Sequence, residues 1–167
     1  HYLITECGRD SDVAGPTDRR VGFVVKHSID GDYFGSMGLP LLRGRHFTRT
    51  ERASNAKVAI IDEPLARKLR PDGNAIGCLI SGCGGVREVV GIVPGVRGSI
   101  FDEEAGPHVY VPFDYNMDSQ VFFVYIHLRA ASTAPGAESA LFQGIPQEIR
   151  RVDQHIPVVS LAALADC

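Results

Sequence analysis

The sequence predicts an α+β fold in which strands and helices occupy different parts of the chain. Residues 74–113 are predicted to be all-β, because short runs of β-branched residues alternate with Gly-rich turns. Residues 121–161 are predicted to form a strand, a helix and a strand, in the order of a split βαβ-like unit. A chain of 167 residues can bury a core in one domain or in two small subdomains.

The composition argues against two classes of protein. A net charge of −3 gives no electrostatic case for nucleic-acid binding, because phosphate backbones select for a strong positive field. No apolar run approaches the roughly 18 residues that cross a bilayer, and no signal peptide is visible. Because the chain begins at His1 without a methionine, we expect it to be an excised segment of a longer protein.

The first sixty residues are predicted to hold three strands and two short helices. Residues 2–6 and Val21–Ile29 can form a hairpin across an exposed loop, 8–20. Asp30 can cap a helix that ends at Gly38. A capping box of Thr48 and Glu51 then predicts the second helix. The third strand is short and buried and comprises Val58–Ile61.

The middle of the chain is predicted to continue with a helix and three strands. Asp62 or Glu63 caps the helix, and Pro64 occupies its first turn. Three strands follow, Ile76–Ile80, Val86–Val93 and His108–Phe113. The Gly-rich connection S-G-C-G-G joins the first two, which are predicted to form a hairpin.

The last fifty residues are predicted to form strand, helix and strand. Val121–Arg129 is the strongest strand signal in the chain, and its near-continuous apolar character predicts burial on both faces. Residues 134–152 have helical apolar spacing, and Pro146 is expected to kink or split that helix near Gly144. Val158–Leu161 is a short predicted strand after Pro157.

No motif in the sequence predicts a catalytic, cofactor-binding or metal-binding residue. The Gly-rich S-G-C-G-G-V lacks the Gly-Lys-Ser/Thr of a phosphate loop, and the six histidines show no metal-binding spacing. Asp30 and Asp32 flank Gly31, but the rest of a calcium loop is missing, so helix capping is favoured. No Gly-x-Ser-x-Gly elbow surrounds any serine.

Two further groups of residues are candidates for a bond and for a contact surface. Four cysteines are present, at positions 7, 78, 83 and 167, and Cys78 and Cys83 could form a disulfide if the loop between them folds tightly. The densest basic cluster could contact anionic lipid head groups or an acidic partner, or could simply be a solvated turn: Arg43, Arg45, His46, Arg49 and Arg52.

A family resemblance runs through residues 20–165. Residues 32–48 read D-Y-F-x-x-M-G-L-P-L-L-R-G-R-x-F-T, and an apolar strand and E-x-L-A-R-K follow. N-A-I-G-C-L-I, R-E-V-V-G-I-V-P-G-V-R and P-H-V-Y-V-P-F come later, in that order. Together these segments resemble the MacB-like periplasmic core domain of ABC-transporter permeases in the MacB/FtsX superfamily. Cys78 stands where that family has a basic or polar residue, and residues 95–97 lack its usual acid.

The resemblance implies a fold of two lobes. A split, α+β porter-like lobe would comprise 1–30 and 119–167, without the first strand and helix of the family. An inserted, β-rich sabre-like lobe would comprise 31–118.

The resemblance also implies a non-enzymatic, mechanotransmitting role. The domain would lie on the periplasmic side of an inner-membrane permease and carry ATP-driven motion of its transmembrane helices to a cargo, an adaptor or another partner. It would hold no cofactor, because ATP is used by a separate nucleotide-binding domain. The full-length protein is expected to be dimeric, and the excised domain can be monomeric.

Two other classes of function remain open at the level of sequence. A small secreted hydrolase or ligand-binding domain would use the neighbourhood of His27, Asp30 and Asp32, and predicts that these side chains converge on a deep pocket. A structural adhesion or scaffold domain would instead need a large exposed apolar patch.

Overall fold

The computed structural model describes residues 2–7, 19–82, 84–95, 106–114, 124–130, 134, 136–158 and 160–162. The chain divides into two compact units, which run from residue 1 to 127 and from 128 to 167. The mixture of strands and helices confirms the predicted α+β class. No helix among the described residues is long and apolar enough to cross a membrane.

The described part of the first unit contains seven strands and three short helices. In chain order they are β1 Tyr2–Cys7, β2 Arg19–Ile29, α1 Tyr33–Met37, β3 Arg43–Gly44, α2 Arg49–Ala53, β4 Val58–Asp62, α3 Glu63–Leu69, β5 Leu79–Ser81, β6 Arg87–Val93 and β7 His108–Pro112.

The strands close into a barrel. The sheet order is β3-β6-β4-β7-β2-β1-β5, and β5 also pairs with β6, so β6, β4, β7, β2, β1 and β5 form a ring. The pairs β2–β7 and β4–β6 are parallel, and the other pairs are antiparallel. The predicted hairpins β1–β2 and β5–β6 are both present. Closure of the ring pairs strands that would otherwise be exposed sheet edges.

Continuous apolar runs form the central strands, and both of their faces are buried. All five residues of β4 and of β7 are buried, as expected for strands covered on both sides. Because successive side chains point to opposite faces, each strand contributes to two separate apolar clusters. One cluster includes Ala59, Ile61 and the α3 residue Leu65, and the other includes Ile60 and the α1 residue Phe34.

Side-chain caps fix where the short helices begin. Asp32, rather than the predicted Asp30, caps α1 by accepting a hydrogen bond from the Gly35 amide. The helix and its aspartate cap were predicted, but the capping residue lies two positions later, because Asp32 is the residue that directly precedes the first helical turn. The predicted capping box at Thr48 is present, with reciprocal hydrogen bonds to Glu51. Asp62 caps α3 by accepting from the Leu65 amide at 2.9 Å.

The described part of the second unit contains one long helix, α4, Ala137–Val152. The helix was expected to split near Gly144, but it continues through Pro146 as one 16-residue element. An apolar residue recurs at 141, 145, 149 and 152, so one apolar stripe runs along both sides of the proline.

The predicted strand Val121–Arg129 is not observed in its described part. Residues 124–130 form no strand, and Tyr125 is 80% exposed. Residues 121–123 lie outside the described residues. The segment pairs with no strand in the part of the chain that the structure describes, so its apolar residues are not buried. The predicted strand Val158–Leu161 is also absent from its described positions.

The lobe boundaries expected from the resemblance are not tested by the division into compact units. β2 pairs with β7, so residues 19–29 belong to the same sheet as the strands expected in the inserted lobe. The boundary between the units lies after His127 rather than near residue 118. The lobe boundaries of the family therefore remain a prediction for this chain.

Candidate functional site

A cluster of aromatic and imidazole rings lies on one face of the β2–β7 pair. The parallel register pairs His27 with Tyr110 and Val25 with His108. Since side chains alternate along each strand, the two histidines and Tyr110 share one face of the sheet. We call the set the ring cluster, and its members are His27, Tyr33, His108, Tyr110 and His127.

His27 and His108 share a hydrogen bond. His27 Nε2 lies 2.8 Å from His108 Nδ1. Their ring centroids are 5.0 Å apart and their planes differ by 6°. That separation is close to the N···N distance plus one ring radius on each side, so the imidazoles lie edge to edge in one plane. One nitrogen must donate and the other accept, which requires at least one imidazole to be neutral.

The second nitrogen of His108 is isolated. His108 is 7% exposed, and its Nε2 is buried without a hydrogen-bond partner among the described residues. A buried N–H without an acceptor is rarer than a buried acceptor without a donor. The preferred tautomer therefore places the proton on His108 Nδ1, which donates to His27 Nε2 and leaves His108 Nε2 as the unpaired acceptor.

Burial opposes a positive charge on this histidine pair. Burial, and then the nearby His108 and His127, lower the pKa of His27 from 6.5 to about 4. Burial also lowers the pKa of His108. Near neutral pH the two rings are therefore uncharged, which meets the requirement of the shared hydrogen bond that at least one imidazole is neutral.

Asp62 lies beside the pair on β4. Its carboxylate accepts hydrogen bonds from the amides of Leu65 and His108, each at 2.9 Å. Burial raises the pKa of Asp62 from 3.8 to about 6, even though both hydrogen bonds favour the charged form. Asp62 thus connects the start of α3 to the start of β7, and it carries a titratable group close to neutrality.

The tyrosines complete the ring cluster. The Tyr110 ring is nearly parallel to that of His27, with centroids 5.0 Å apart. The ring centroids of Tyr33 and Tyr110 are 5.8 Å apart. The His127 ring packs edge-on against Tyr33, with a centroid distance of 5.4 Å. Burial raises the pKa of both phenols, so they remain protonated near neutral pH. No three histidine, cysteine or acidic side chains in the described ranges are arranged to hold a metal ion.

The residues of the hydrolase hypothesis do not converge. Asp30 and Asp32 line an open depression of about 390 Å³, whereas His27 is not part of its lining. Asp32 caps α1, and Asp30 lies 3.5 Å from the guanidinium of Arg52. Both carboxylates are thus used locally, and the structure does not support the predicted deep pocket.

The predicted basic patch is only partly available to a partner. Arg45 donates to both carboxylate oxygens of Glu51 at 2.7 Å. Arg52 donates to the Phe47 carbonyl at 2.7 Å. Arg43 and Arg49 are exposed. The lipid or partner contact of this patch remains a prediction.

A second group of positive side chains lines a cavity at one mouth of the barrel. The cavity has a volume of about 180 Å³, and Lys26, Lys57 and Arg87 contribute to its wall together with Asp114. Arg87 is 4% exposed and donates to the Ala56 carbonyl at 3.0 Å.

The predicted disulfide is not tested. Cys78 is buried at the start of the β5–β6 hairpin, and the amide of Val89 donates to its carbonyl. Cys83 lies outside the described residues, so the pairing remains a prediction.

Sequence reasoning missed the ring cluster as a unit. His27 and His108 are 81 positions apart, and only the parallel register of β2 and β7 brings them together. His127 is partly buried. A single sequence carries no signal for this register, because neither strand is adjacent to the other in the chain.

Comparison with known proteins gives a family match. A family model described as the MacB-like periplasmic core domain matches residues 8–143. The chain is 36% identical, over 75 residues, to the pyoverdine export ATP-binding/permease protein PvdT of Pseudomonas putida, covering 44% of this chain and 12% of that protein. It is 30% identical, over 95 residues, to the uncharacterized ABC transporter permease YvrN of Bacillus subtilis, covering 55% and 23%. The chain thus spans less than a quarter of either relative.

A solved structure shares the fold. The periplasmic region of MacB from Actinobacillus actinomycetemcomitans matches with a TM-score of 0.58 at 15% identity, covering 94% of this chain and 73% of that one. At this identity the likeness describes the fold alone.

Proposed function

The chain belongs to the family of MacB-like periplasmic core domains, and from that membership we propose that it is the extracytoplasmic domain of an ABC-transporter permease. In this role it catalyses no reaction itself. It transmits the ATP-driven motion of the membrane helices to a cargo or partner protein. The family match over residues 8–143 is the observation that carries the proposal, and the names of the two curated relatives agree with it.

The barrel is suited to transmit force. A body moves as a unit when its strands are hydrogen-bonded on both sides and its interior is closely packed. β4 has both properties, because it pairs with β6 and β7 and all five of its residues are buried. A displacement applied at one side of such a barrel reaches the other side with little internal deformation.

The partners follow from the same proposal. ATP would be bound by a separate nucleotide-binding domain, and this chain would be attached to transmembrane helices on the inner membrane. A periplasmic adaptor or cargo would meet an exposed surface, for which Arg43 and Arg49 offer exposed positive charge. An acidic partner surface, or anionic lipid head groups, would complement that charge.

The proposed position between membrane helices is tested by sequencing the parent gene on both sides of this segment. Hydrophobic spans of about 20 residues on both sides of this segment would support the permease proposal. A cleaved signal peptide before the segment, together with a stop codon soon after it, would contradict the proposal and would favour a secreted domain.

The mechanical role is tested in the full permease reconstituted with its ATPase. Spin labels carried on unnatural residues at Arg67 in α3 and Arg151 in α4 would report the distance between the two units by pulsed electron resonance. Both side chains are exposed. We expect the distance distribution to differ between the ADP and trapped-ATP states. A control pair at Arg43 and Arg67, within the first unit, should not change. Identical distributions in all nucleotide states would contradict mechanical transmission.

A further inference from the structure

Residues 42–50 form an exposed stretch that is fixed on the barrel, and we call it the arginine strap. Eight of its nine residues are exposed, and only Phe47 is buried, where it packs into one of the apolar clusters. The amides of Leu42 and Arg45 donate to carbonyls of β6 at 2.8 and 2.9 Å. Arg52 donates to the Phe47 carbonyl at 2.7 Å. The strap therefore presents its side chains from a backbone that is held in place.

Two glycines allow the strap to lie directly on β6. A Cβ atom on Gly44 would collide with the Val90 carbonyl oxygen, and one on Gly91 would lie 2.6 Å from the Arg45 carbonyl oxygen. The two backbones are therefore in direct contact, which fixes the strap and leaves its outer side exposed. A surface that is already fixed loses little conformational entropy when a partner binds.

The arginines of this region fall into two groups. Residues 42–52 hold four arginines and one glutamate, although the whole chain has a net charge of −3. Arg45 is bound by Glu51, and Arg52 by the Phe47 carbonyl. Arg43 and Arg49 are exposed and make no hydrogen bond or ion pair within the part of the chain that the structure describes. Two arginines thus hold the strap, and two point their charge to solvent.

We propose that the arginine strap docks an acidic segment of a partner protein, whose carboxylates are bound by Arg43 and Arg49. Leu42 is 46% exposed beside them and offers an apolar contact. A guanidinium binds a carboxylate through two parallel hydrogen bonds, and Arg45 and Glu51 form such a pair in the same stretch. A partner is expected because the chain is proposed to be a permease domain, so the inference rests on that proposal for the partner but not for the chemistry of the surface.

Anionic lipid suits this surface less well than an acidic protein. Recruitment to anionic membranes is typical of clusters of about four to eight lysines or arginines. In the described chain only Arg43 and Arg49 of the strap are not bound to another residue. Lipid head groups also diffuse freely and gain nothing from a fixed backbone, whereas a protein segment has carboxylates at fixed spacings that a fixed strap can match.

Peptide binding to the intact chain tests this chemistry. The probes are the peptide acetyl-Glu-Leu-Glu-Glu-Leu-Glu-amide, the same peptide with Gln in place of every Glu, and vesicles of equal parts phosphatidylglycerol and phosphatidylcholine. Backbone amide signals in nuclear magnetic resonance locate each contact. We expect the acidic peptide to shift the signals of residues 42–50 and to bind more weakly as salt is added. The Gln peptide and the vesicles should leave these signals unchanged.

Two double variants with the same change in net charge separate the strap from general electrostatic attraction. Arg43→Gln with Arg49→Gln should weaken binding of the acidic peptide at least about fivefold. Arg67→Gln with Arg150→Gln removes two exposed charges elsewhere and should weaken it less than about twofold. The methyl signals of Ile61 report whether each variant is folded. If the strap variant does not fold, the position of the shifts in the unaltered chain still decides.

Three results would overturn the inference. They are the absence of acidic-peptide binding at residues 42–50, an equal loss of affinity in the two folded double variants, and vesicle binding at the strap without peptide binding, which would make it a lipid contact. None of them contradicts the permease proposal, which the membrane spans of the parent gene decide. A parent gene without such spans would reject the permease proposal, and peptide binding at the strap would still support the docking surface.

Discussion

Strand β4 and the segment 124–128 contain similar residues but have opposite environments. β4 reads V-A-I-I-D and is buried throughout. Residues 124–128 read V-Y-I-H-L, an equally apolar and β-favouring run, yet Val124, Tyr125, Ile126 and Leu128 are between 57% and 80% exposed. The difference lies in their neighbours. β4 is hydrogen-bonded to β6 and β7, whereas 124–128 pairs with no strand among the described residues.

This difference shows that strand propensity is conditional. A β-branched run favours an extended backbone, but the amides and carbonyls become a strand only when another strand pairs with them. Apolar side chains then gain burial from the layers above and below that sheet. The same sequence signal can therefore belong either to a paired strand in the core or to an apolar segment that is buried only when another strand pairs with it.

The largest contrast is expected when one isoleucine is truncated in each region. Ile61→Ala removes a fully buried side chain from β4 and should lower the free energy of unfolding by about 2–5 kcal/mol. Ile126→Ala removes a side chain that is 66% exposed and should change it by less than about 0.5 kcal/mol. Urea unfolding followed by far-UV circular dichroism measures both. A loss of similar size in the two variants would show that Ile126 is buried in solution.

The sequence predicts the strands of the barrel better than the predicted strand Val121–Arg129, for the same reason. The strands Val58–Asp62, Arg87–Val93 and His108–Pro112 were all predicted nearly at their observed bounds, because their partners lie within the chain. The strand Val121–Arg129 was predicted with the strongest signal, and its described part was wrong. Periodicity and composition report what a segment favours, and they do not report whether a pairing strand is available.

The candidate site was less predictable than the elements that carry it. The capping box at Thr48 is local and was predicted from residues three apart. The bond between His27 and His108 depends on a parallel pairing whose crossover contains most of the barrel. The charge state of Asp62 depends on its burial, which the sequence does not show, although Asp62 was one of the two residues predicted to cap the helix.

A second contrast concerns Asp62 and His27, whose titrations change the stability of the fold in opposite directions with pH. Asp62 has a pKa of about 6 in the fold and 3.8 when unfolded, so its stabilising contribution is complete below pH 3.8 and is lost as the pH rises through 6. The loss amounts to about 3 kcal/mol at most. His27 acts in the opposite direction, because its lowered pKa makes the fold lose stability as the pH falls from 6.5 toward 4.

Asp62→Asn isolates the carboxylate contribution. The variant lacks one of the two carboxylate oxygens that accept hydrogen bonds, and this lowers its stability at every pH. The stability of the variant at a single pH therefore does not test the raised pKa. The difference in unfolding free energy between the unaltered chain and the variant should be largest at pH 4 and should fall as the pH rises to 7. The contribution of His27 is present in both proteins and cancels. Urea titrations at four pH values between 4 and 7 measure the difference, and parallel pH profiles would contradict the raised pKa.

Alanine at a glycine should have opposite effects in the two units. A Cβ on Gly91 in β6 would lie 2.6 Å from the Arg45 carbonyl oxygen and 3.0 Å from Ile60 Cγ1, so Gly91→Ala should destabilise by about 1–3 kcal/mol. A Cβ on Gly144 in α4 would meet nothing within 4 Å. Gly144→Ala should therefore stabilise the helix by about 0.5–1 kcal/mol through propensity alone. Thermal unfolding followed at 222 nm measures both, and a loss for Gly144→Ala would reveal a neighbour packed on that face.

The smallest contrast concerns how helices begin in the two units. α2 begins at Thr48 with a complete capping box, whereas α4 begins at Gly136 without a side-chain cap. Thr48→Ala should lower the free energy of unfolding by about 1 kcal/mol, because the Glu51 amide loses its acceptor. Thr50→Ala, two residues later on the exposed side of the same helix, is the matched control and should change it by less than about 0.5 kcal/mol. Equal values in urea unfolding would mean that helix propensity, rather than the cap, sets the stability of α2.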